Sequence, residues 1–151
     1  MSKTRVLVRH GDGETLNVLG TGLRFLCGAD KTDRSWSLME VEVPERAGAP
    51  PHHHPWDEAY YILEGNIRFL VDGEEQTLAR GDFVYLPAGT LHGFEGASTP
   101  PARTLIFDAP AHAEAFFREL DRDVKDLSRD LSKVPDIAAQ HQIHMADHAA
   151  R

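Results

Sequence analysis

The sequence predicts an all-β body followed by a helical extension, and two patterns carry that expectation. From Thr4 to about Ala109, apolar and polar residues alternate in short runs separated by Gly, Pro and Asp-Gly, as in half-buried strands joined by turns. After Pro110 the period changes: Phe116, Leu120, Val124, Leu127, Leu131 and Val134 follow at intervals of three or four, as along one face of a helix. A strand-rich body with such a tail suggests a sandwich or small barrel that the tail covers.

In chain order, the runs that read as strands are Arg5–Val8, Thr15–Val18, Leu23–Cys27, Ser37–Val43, Glu58–Leu63, Asn66–Val71, Glu75–Leu78, Phe83–Leu86, His92–Phe94 and Arg103–Asp108. Asp72-Gly73 is a hairpin signal, since such pairs tolerate the positive φ of a type I′ turn. Pro135 is expected to end the first helix, leaving Asp136–Ala150 for a second, weaker one with Ile137 and Met145 as its apolar points. The seam Leu120, Val124, Leu127, Leu131 and Val134 suits either the chain's own body or a short coiled coil with a partner.

The length of 151 residues, 41% of them hydrophobic, fits one domain with enough core to fold without disulfides or a structural metal. A formal net charge of −8, with no face rich in Lys and Arg, argues against nucleic acid as a partner. Cys27 is the only cysteine, which excludes an intrachain disulfide and fits a reducing compartment, with the cytoplasm as the expected location. The first twenty residues hold no apolar run long enough for a signal peptide, and no stretch approaches the ~20 residues of a membrane span. Neither export by the usual route nor a membrane partner is expected.

The chemistry gathers around nine histidines, of which His52, His53 and His54 are consecutive. His52, His54 and Glu58 share one parity, and in an extended chain same parity means same face. Two imidazoles and a carboxylate on one side of a strand offer the donors a divalent transition metal prefers, and His92 brings a third imidazole from a later strand. By the same rule Tyr60 and Ile62 follow Glu58, and Phe94 follows His92. Ile67, Phe69 and Val71 form another one-face set, and Leu105 and Phe107 a third. Tyr60 reads as barrel packing rather than a catalytic acid, and Trp36, Trp56, Phe25 and Phe94 as core or rim residues. Cys27 reads as an inert buried thiol. His141, His144 and His148, at helical spacing, read as a solvated face in preference to a second metal patch.

Two segments resemble the paired motifs of the cupin superfamily. The first motif, G-x5-H-x-H-x3,4-E-x6-G, is matched by His52, His54, Glu58 and Gly65; the second, G-x5-P-x-G-x2-H-x3-N, by Gly81, Pro87, Gly89 and His92. Between them Asn66 to Arg80 has the short spacing of compact bacterial single-domain cupins. The chain departs from the pattern at Gly48, which lies three residues before His52 rather than five, and at Gly96, which stands where the motif has Asn.

The resemblance implies a double-stranded β-helix, a jelly-roll barrel, over residues 1–110 with its motifs at 48–65 and 81–96. Residues 111–151 would form a C-terminal α-helical extension packing on the barrel or on a partner chain. It further implies that His52, His54, Glu58 and His92 bind one divalent transition metal (Fe, Mn, Ni, Cu or Zn), with His53 pointing away. The apolar sets then make Tyr60, Ile62, Phe69, Phe94 and Phe107 the substrate pocket. Similarity to quercetin-dioxygenase-like cupins makes a metal-dependent dioxygenase acting on a small enolic, phenolic or aromatic substrate the expected function, with Glu58 as catalytic residue taking the substrate's proton. The alternatives are a metal-dependent isomerase, lyase or cyclase that uses no dioxygen, and a non-catalytic small-molecule-binding cupin. A homodimer is the expected assembly.

Overall fold

The computed structural model describes residues 3–146, and among them eleven strands pair antiparallel in two sheets. The strands are β1 (Thr15–Val18), β2 (Thr21–Cys27), β3 (Ser37–Val43), β4 (Gly48–His53), β5 (Asp57–Glu64), β6 (Asn66–Val71), β7 (Glu74–Ala79), β8 (Phe83–Leu86), β9 (His92–Gly96), β10 (Ala102–Ala109) and β11 (His144–Met145). One sheet has the order β1-β2-β3-β10-β5-β8 and the other β11-β4-β9-β6-β7. The fold is all-β with a C-terminal helical segment, as the two sequence patterns predict.

Alternation builds the shared core. On β3, Ser37, Met39, Val41 and Val43 are buried, while Glu40 and Glu42 face outward. Ile62 of β5, Ile67 and Phe69 of β6, and Ile106 of β10 complete it from both sheets. On the outer face Arg24 and Arg103 both pair with Glu40, so the polar parity of three neighbouring strands is tied together across the sheet. The β6–β7 turn places Asp72 at φ 49° and Gly73 at φ 86°, the geometry of the expected hairpin.

Four expectations are corrected. Arg5–Val8 forms no strand: its neighbour Thr4 donates one backbone bond to Lys31, and Leu7 stays 77% exposed. Alternation marks a face but supplies no ladder partner. Gly48–His53 does pair as a strand, masked in sequence by Pro50 and Pro51, which β-propensity disfavours. The helical seam breaks into α1 (Ala113–Asp123), α2 (Leu127–Asp130) and α3 (Val134–Gln140), with a 3-10 turn at Leu131–Lys133. The break at Val124–Asp126 is stabilised by capping. The Asp126 side chain accepts the Ser128 N–H at 3.0 Å, and buried Asp130 accepts those of Lys125 and Asp126 at 3.2 and 3.1 Å. Leu127 and Leu131 consequently face solvent. Finally, Pro135 opens α3 rather than ending a helix, because its missing N–H is harmless in a first turn; the expected second helix gives way after Gln140 to β11, which pairs with β4.

α1 is anchored from the sheet. Asp108, fully buried at the end of β10, accepts the Ala113 N–H at 3.0 Å and the Ser37 hydroxyl, while Phe116 and Leu120 enter the core. No helix among the described residues is long and apolar enough to cross a membrane.

Two glycines fix the approach of the strands that carry the histidines. A Cβ at Gly48 (φ 148°) would fall on the Phe94 carbonyl oxygen, and one at Gly96 on that of Pro44. The departure from the second motif at Gly96 is therefore a packing requirement. Gly96→Asn, which would restore the motif residue, is expected to lower the unfolding free energy by about 2 kcal/mol or more in denaturant melts; an unchanged midpoint would mean that the Pro44 turn yields.

Candidate metal centre

Two imidazoles come from one sheet, the third from the turn that leaves it, and the carboxylate from the other sheet. His52 lies on β4 directly opposite His92 on β9, and His54 immediately follows β4. Glu58 lies on β5, so the chain between His54 and Glu58 crosses from sheet to sheet. This corrects the one-strand picture: His52, His54 and Glu58 converge because a turn at Pro55-Trp56 carries the chain across, not because an uninterrupted strand aligns their parity. The second motif is locked to the first by its own turn. Gly89, at φ 87°, donates its N–H to the His54 carbonyl at 2.8 Å, and the Ala88 N–H reaches the Asp57 carboxylate at 2.9 Å.

The ligand nitrogens of His52, His54 and His92 lie within 4.8 Å of one another. Each ring uses Nδ1 on a backbone carbonyl: His52 on Pro50 at 2.8 Å, His54 on Trp56 at 3.1 Å and His92 on Thr90 at 2.9 Å. Such bonds select the tautomer with the proton on Nδ1 and leave Nε2 as the donor atom toward the centre. Glu58 closes the group, with Oε1 3.2 Å from His92 Nε2 and Oε2 3.7 Å from His54 Nε2. The Tyr60 hydroxyl donates to Glu58 Oε1 at 2.8 Å, so Tyr60 orients the carboxylate besides packing on Phe69 and Phe94.

Nε2 of His54, a residue 4% exposed, is sealed from solvent without a hydrogen-bond partner. A buried lone pair with nothing to accept fits a cation. The residues present therefore suit a metal ion, with three imidazole nitrogens and one carboxylate oxygen as candidate ligands.

The charges follow from the geometry. Burial pushes the Glu58 carboxyl up, but the hydrogen bond from His92 and the nearby His54 ring outweigh it and hold the group well below the usual carboxylate range. Burial pushes His92 down, but its bond to Glu58 prevails and the imidazole is raised above 6.5. Without metal, His92 and Glu58 thus form a buried ion pair. His52, desolvated by burial and facing His92, is pushed down to about 4, so it is neutral at ordinary pH. Burial and the Glu58 charge raise the Tyr60 phenol well above 10, and it stays a hydrogen-bond donor.

A cavity of about 80 Å³ adjoins the cluster. Tyr60, Phe94 and Trp56 line it from the barrel, and Phe116, Val134, Ile143 and Met145 from the C-terminal segment. Of the sequence-predicted pocket, Tyr60 and Phe94 reach the cavity; Ile62 and Phe69 are buried in the core without lining it. Phe107 is a correction. It lies on the outer face, 38% exposed and stacked on Trp36, because the inward parity of β10 is Thr104, Ile106 and Asp108. The one-face set Leu105 and Phe107 is therefore the outward parity of β10, while Asp108 is inside as the anchor of α1.

Of the C-terminal lining residues, Phe116, Val134 and Met145 stand out in sequence only as apolar points of helices and Ile143 not at all, and Trp56 has only its place between two candidate ligands. His53 is exposed, its ring 5.1 Å from that of His144 across β4 and β11. His141 bonds Glu119 at 2.8 Å on a different element, and His148 lies outside the described residues. Cys27, at the end of β2, is half-buried rather than buried, and burial raises its thiol.

Residues 39–108 match the family described as Cupin domain. The chain is similar to quercetin 2,3-dioxygenase of Bacillus subtilis (strain 168), 32% identical over 118 residues that make up 76% of this chain and 34% of that protein. It therefore spans about a third of the dioxygenase's length. It is also similar to an uncharacterized protein of Streptomyces coelicolor, 35% identical over 91 residues, covering 60% of this chain and 82% of that one. Among solved structures, the polyketide cyclase RemF from Streptomyces resistomycificus superposes with a TM-score of 0.62 at 24% identity, over 70% of this chain and 80% of that one. That likeness shows the fold alone.

A metal ion on His92 would have to displace the proton that Glu58 stabilises there, whereas one on His52 would meet a neutral ring at ordinary pH. Below the raised His92 value, zinc affinity is expected to fall by about tenfold per pH unit, one proton being exchanged for the metal. Competition titrations from about pH 6 to 8 read this; an affinity independent of pH across that range would rule out His92 as a ligand.

Proposed function

This chain belongs to the cupin superfamily, and from that premise we propose that His52, His54, His92 and Glu58 hold one divalent transition metal and that the protein is a metal-dependent dioxygenase of a small enolic, phenolic or aromatic substrate. The observation that carries the reading is the convergence of three imidazoles, each tied back through Nδ1, on one buried carboxylate. Likeness to a quercetin dioxygenase favours dioxygen chemistry among the reactions such a centre can run. A bound ion supplies a Lewis acid that lowers the pKa of a substrate hydroxyl and, where it is redox-active, a means of activating dioxygen.

Glu58 is the group that takes the substrate's proton. While protonated His92 is bonded to it, its carboxylate is a poor base, because that bond stabilises the charged form. With a metal on His92 that bond would be released, and a Glu58 oxygen not given to the ion would then be free to accept the substrate's proton at the same position. Tyr60 keeps Oε1 aimed through its 2.8 Å bond, and its own raised phenol stays protonated and does not compete for the proton.

The cavity sets a condition on the guest. Its volume of about 80 Å³ is below the about 150 Å³ of an engineered apolar cavity that takes up benzene. An aromatic substrate therefore needs the lining to give way, and one lining residue, Met145, lies on β11, which only a two-residue pairing holds to β4. The half-buried thiol Cys27 favours a reducing, cytoplasmic setting.

A second copy of the chain is the proposed protein partner. Tyr61, Phe83, Tyr85 and Phe107, all more than a third exposed, share the outer face of the six-stranded sheet, and β8 at its edge has one unpaired side. Aromatic side chains clustered next to an open strand edge fit a symmetric sheet-to-sheet contact.

With iron, manganese, nickel or copper restored, oxygen uptake is expected on at least one member of a panel of enols, phenols and flavonols. Glu58→Ala is expected to lower it by at least about a hundredfold, the usual range for loss of a positioned base. Turnover that persists unchanged under anaerobiosis would replace dioxygenation by isomerase, lyase or cyclase chemistry; tight ligand binding without product would leave a binding module. Sedimentation is expected to show a dimer that Phe83→Glu with Tyr85→Glu converts to a monomer, and a monomeric wild type would discard the aromatic-face contact.

A further inference from the structure

Two buried side-chain nitrogens among the described residues have no hydrogen-bond partner: Nε2 of His54 and Nε1 of Trp56. They belong to rings stacked face to face, with centroids 4.1 Å apart and planes 11° from parallel. Their chemistry is complementary. With its proton held on Nδ1 by the Trp56 carbonyl, His54 presents a lone pair, whereas an indole nitrogen only donates. A bound cation satisfies the first; the second requires an acceptor.

The other hydroxyl donors lining the cavity are already spent. Tyr60 donates to Glu58 at 2.8 Å and Thr21 to the Val18 carbonyl at 2.5 Å. Trp56, itself 2% exposed, is the lining residue with a donor still free. Leaving such a group unmet in an apolar enclosure is costly, so its natural complement is something that enters the site.

We propose that the indole N–H of Trp56 binds an oxygen of the ligand beside His54, making the preferred substrates small, largely apolar molecules that carry two neighbouring oxygens, one for the metal and one for the indole. This rests on the metal-centre reading above and narrows it. Mono-oxygenated analogues leave the donor unmet and bind more weakly.

The test uses zinc-loaded protein with acetohydroxamate, a small anion that offers two adjacent oxygens. Trp56→Phe removes the N–H and keeps an aromatic ring over His54. The variant is expected to bind zinc within about threefold of the wild type, because the stack and the backbone carbonyl remain. Acetohydroxamate should bind it about tenfold or more weakly, the size expected for one hydrogen bond to a charged group. Independently of how well that variant folds, the indole N–H resonance of Trp56 in the native protein, told apart from that of Trp36 with Trp36→Phe, should move downfield on adding acetohydroxamate while the Trp36 signal stays. Equal hydroxamate affinity in wild type and variant, with an unmoved Trp56 resonance, would overturn this proposal and leave the metal centre standing. Absence of zinc binding by the wild type would overturn both.

Discussion

A carboxylate sealed between two sheets is the constraint around which this molecule is arranged. Glu58 is 5% exposed and carries a full charge, and a buried charge stripped of its partner costs a protein about 3–5 kcal/mol. Its partners are drawn from both sides of the barrel: Tyr60 from its own strand, His92 from the facing sheet, and His54 from the turn that links the sheets. Each holds the charge only if the sheets meet at one separation and register. The glycines at 48 and 96, where a side chain would strike the neighbouring backbone, permit that approach. The same geometry that satisfies the charge also gathers three imidazole nitrogens, so folding and the metal centre share one set of contacts.

A second buried carboxylate marks the same end of the barrel. Asp108 lies opposite Glu58 in the β10–β5 register, and burial pushes its carboxyl up while the Ser37 hydroxyl and the Ala113 N–H oppose that rise. The two acids divide the work. Glu58 faces the histidines, while Asp108 fastens the start of α1, whose Phe116 and Leu120 then close over the cavity. Further along, Val134, Ile143 and Met145 complete the cover, and β11 ties it to the strand that carries His52. The cavity is thus walled by barrel on one side and by the C-terminal segment on the other. The short edge strand β11, with two paired residues, is the least secured part of that wall.

Much of this was legible in the chain. Ser37–Val43, Asn66–Val71 and Phe83–Leu86 form strands with the bounds that alternation predicts, and the Asp72-Gly73 turn has the backbone its residues favour. The errors share a physical cause. Apolarity points Phe107 inward, yet the inward parity of β10 is taken by Asp108, a buried acid that the N–H groups of a helix start make stable. Leu127 and Leu131 continue a helical spacing, but Asp126 and Asp130 offer local caps that interrupt it. In each case a polar side chain found a backbone partner that periodicity cannot register.

The sequence by itself determined the all-β class, the strand faces that follow strict alternation, and the residue types able to hold a metal, because these depend on local spacing and intrinsic chemistry. Only the tertiary structure decided that His52 and His92 face one another across a ladder while Glu58 arrives from the opposite sheet. It also decided that Trp56 stacks on His54 with its N–H unspent, and that a strand formed by His144–Met145 returns to cover the site. Those arrangements join residues far apart in the chain. Their partners are chosen by register, burial and the need to satisfy enclosed polar groups, none of which is written in any one segment.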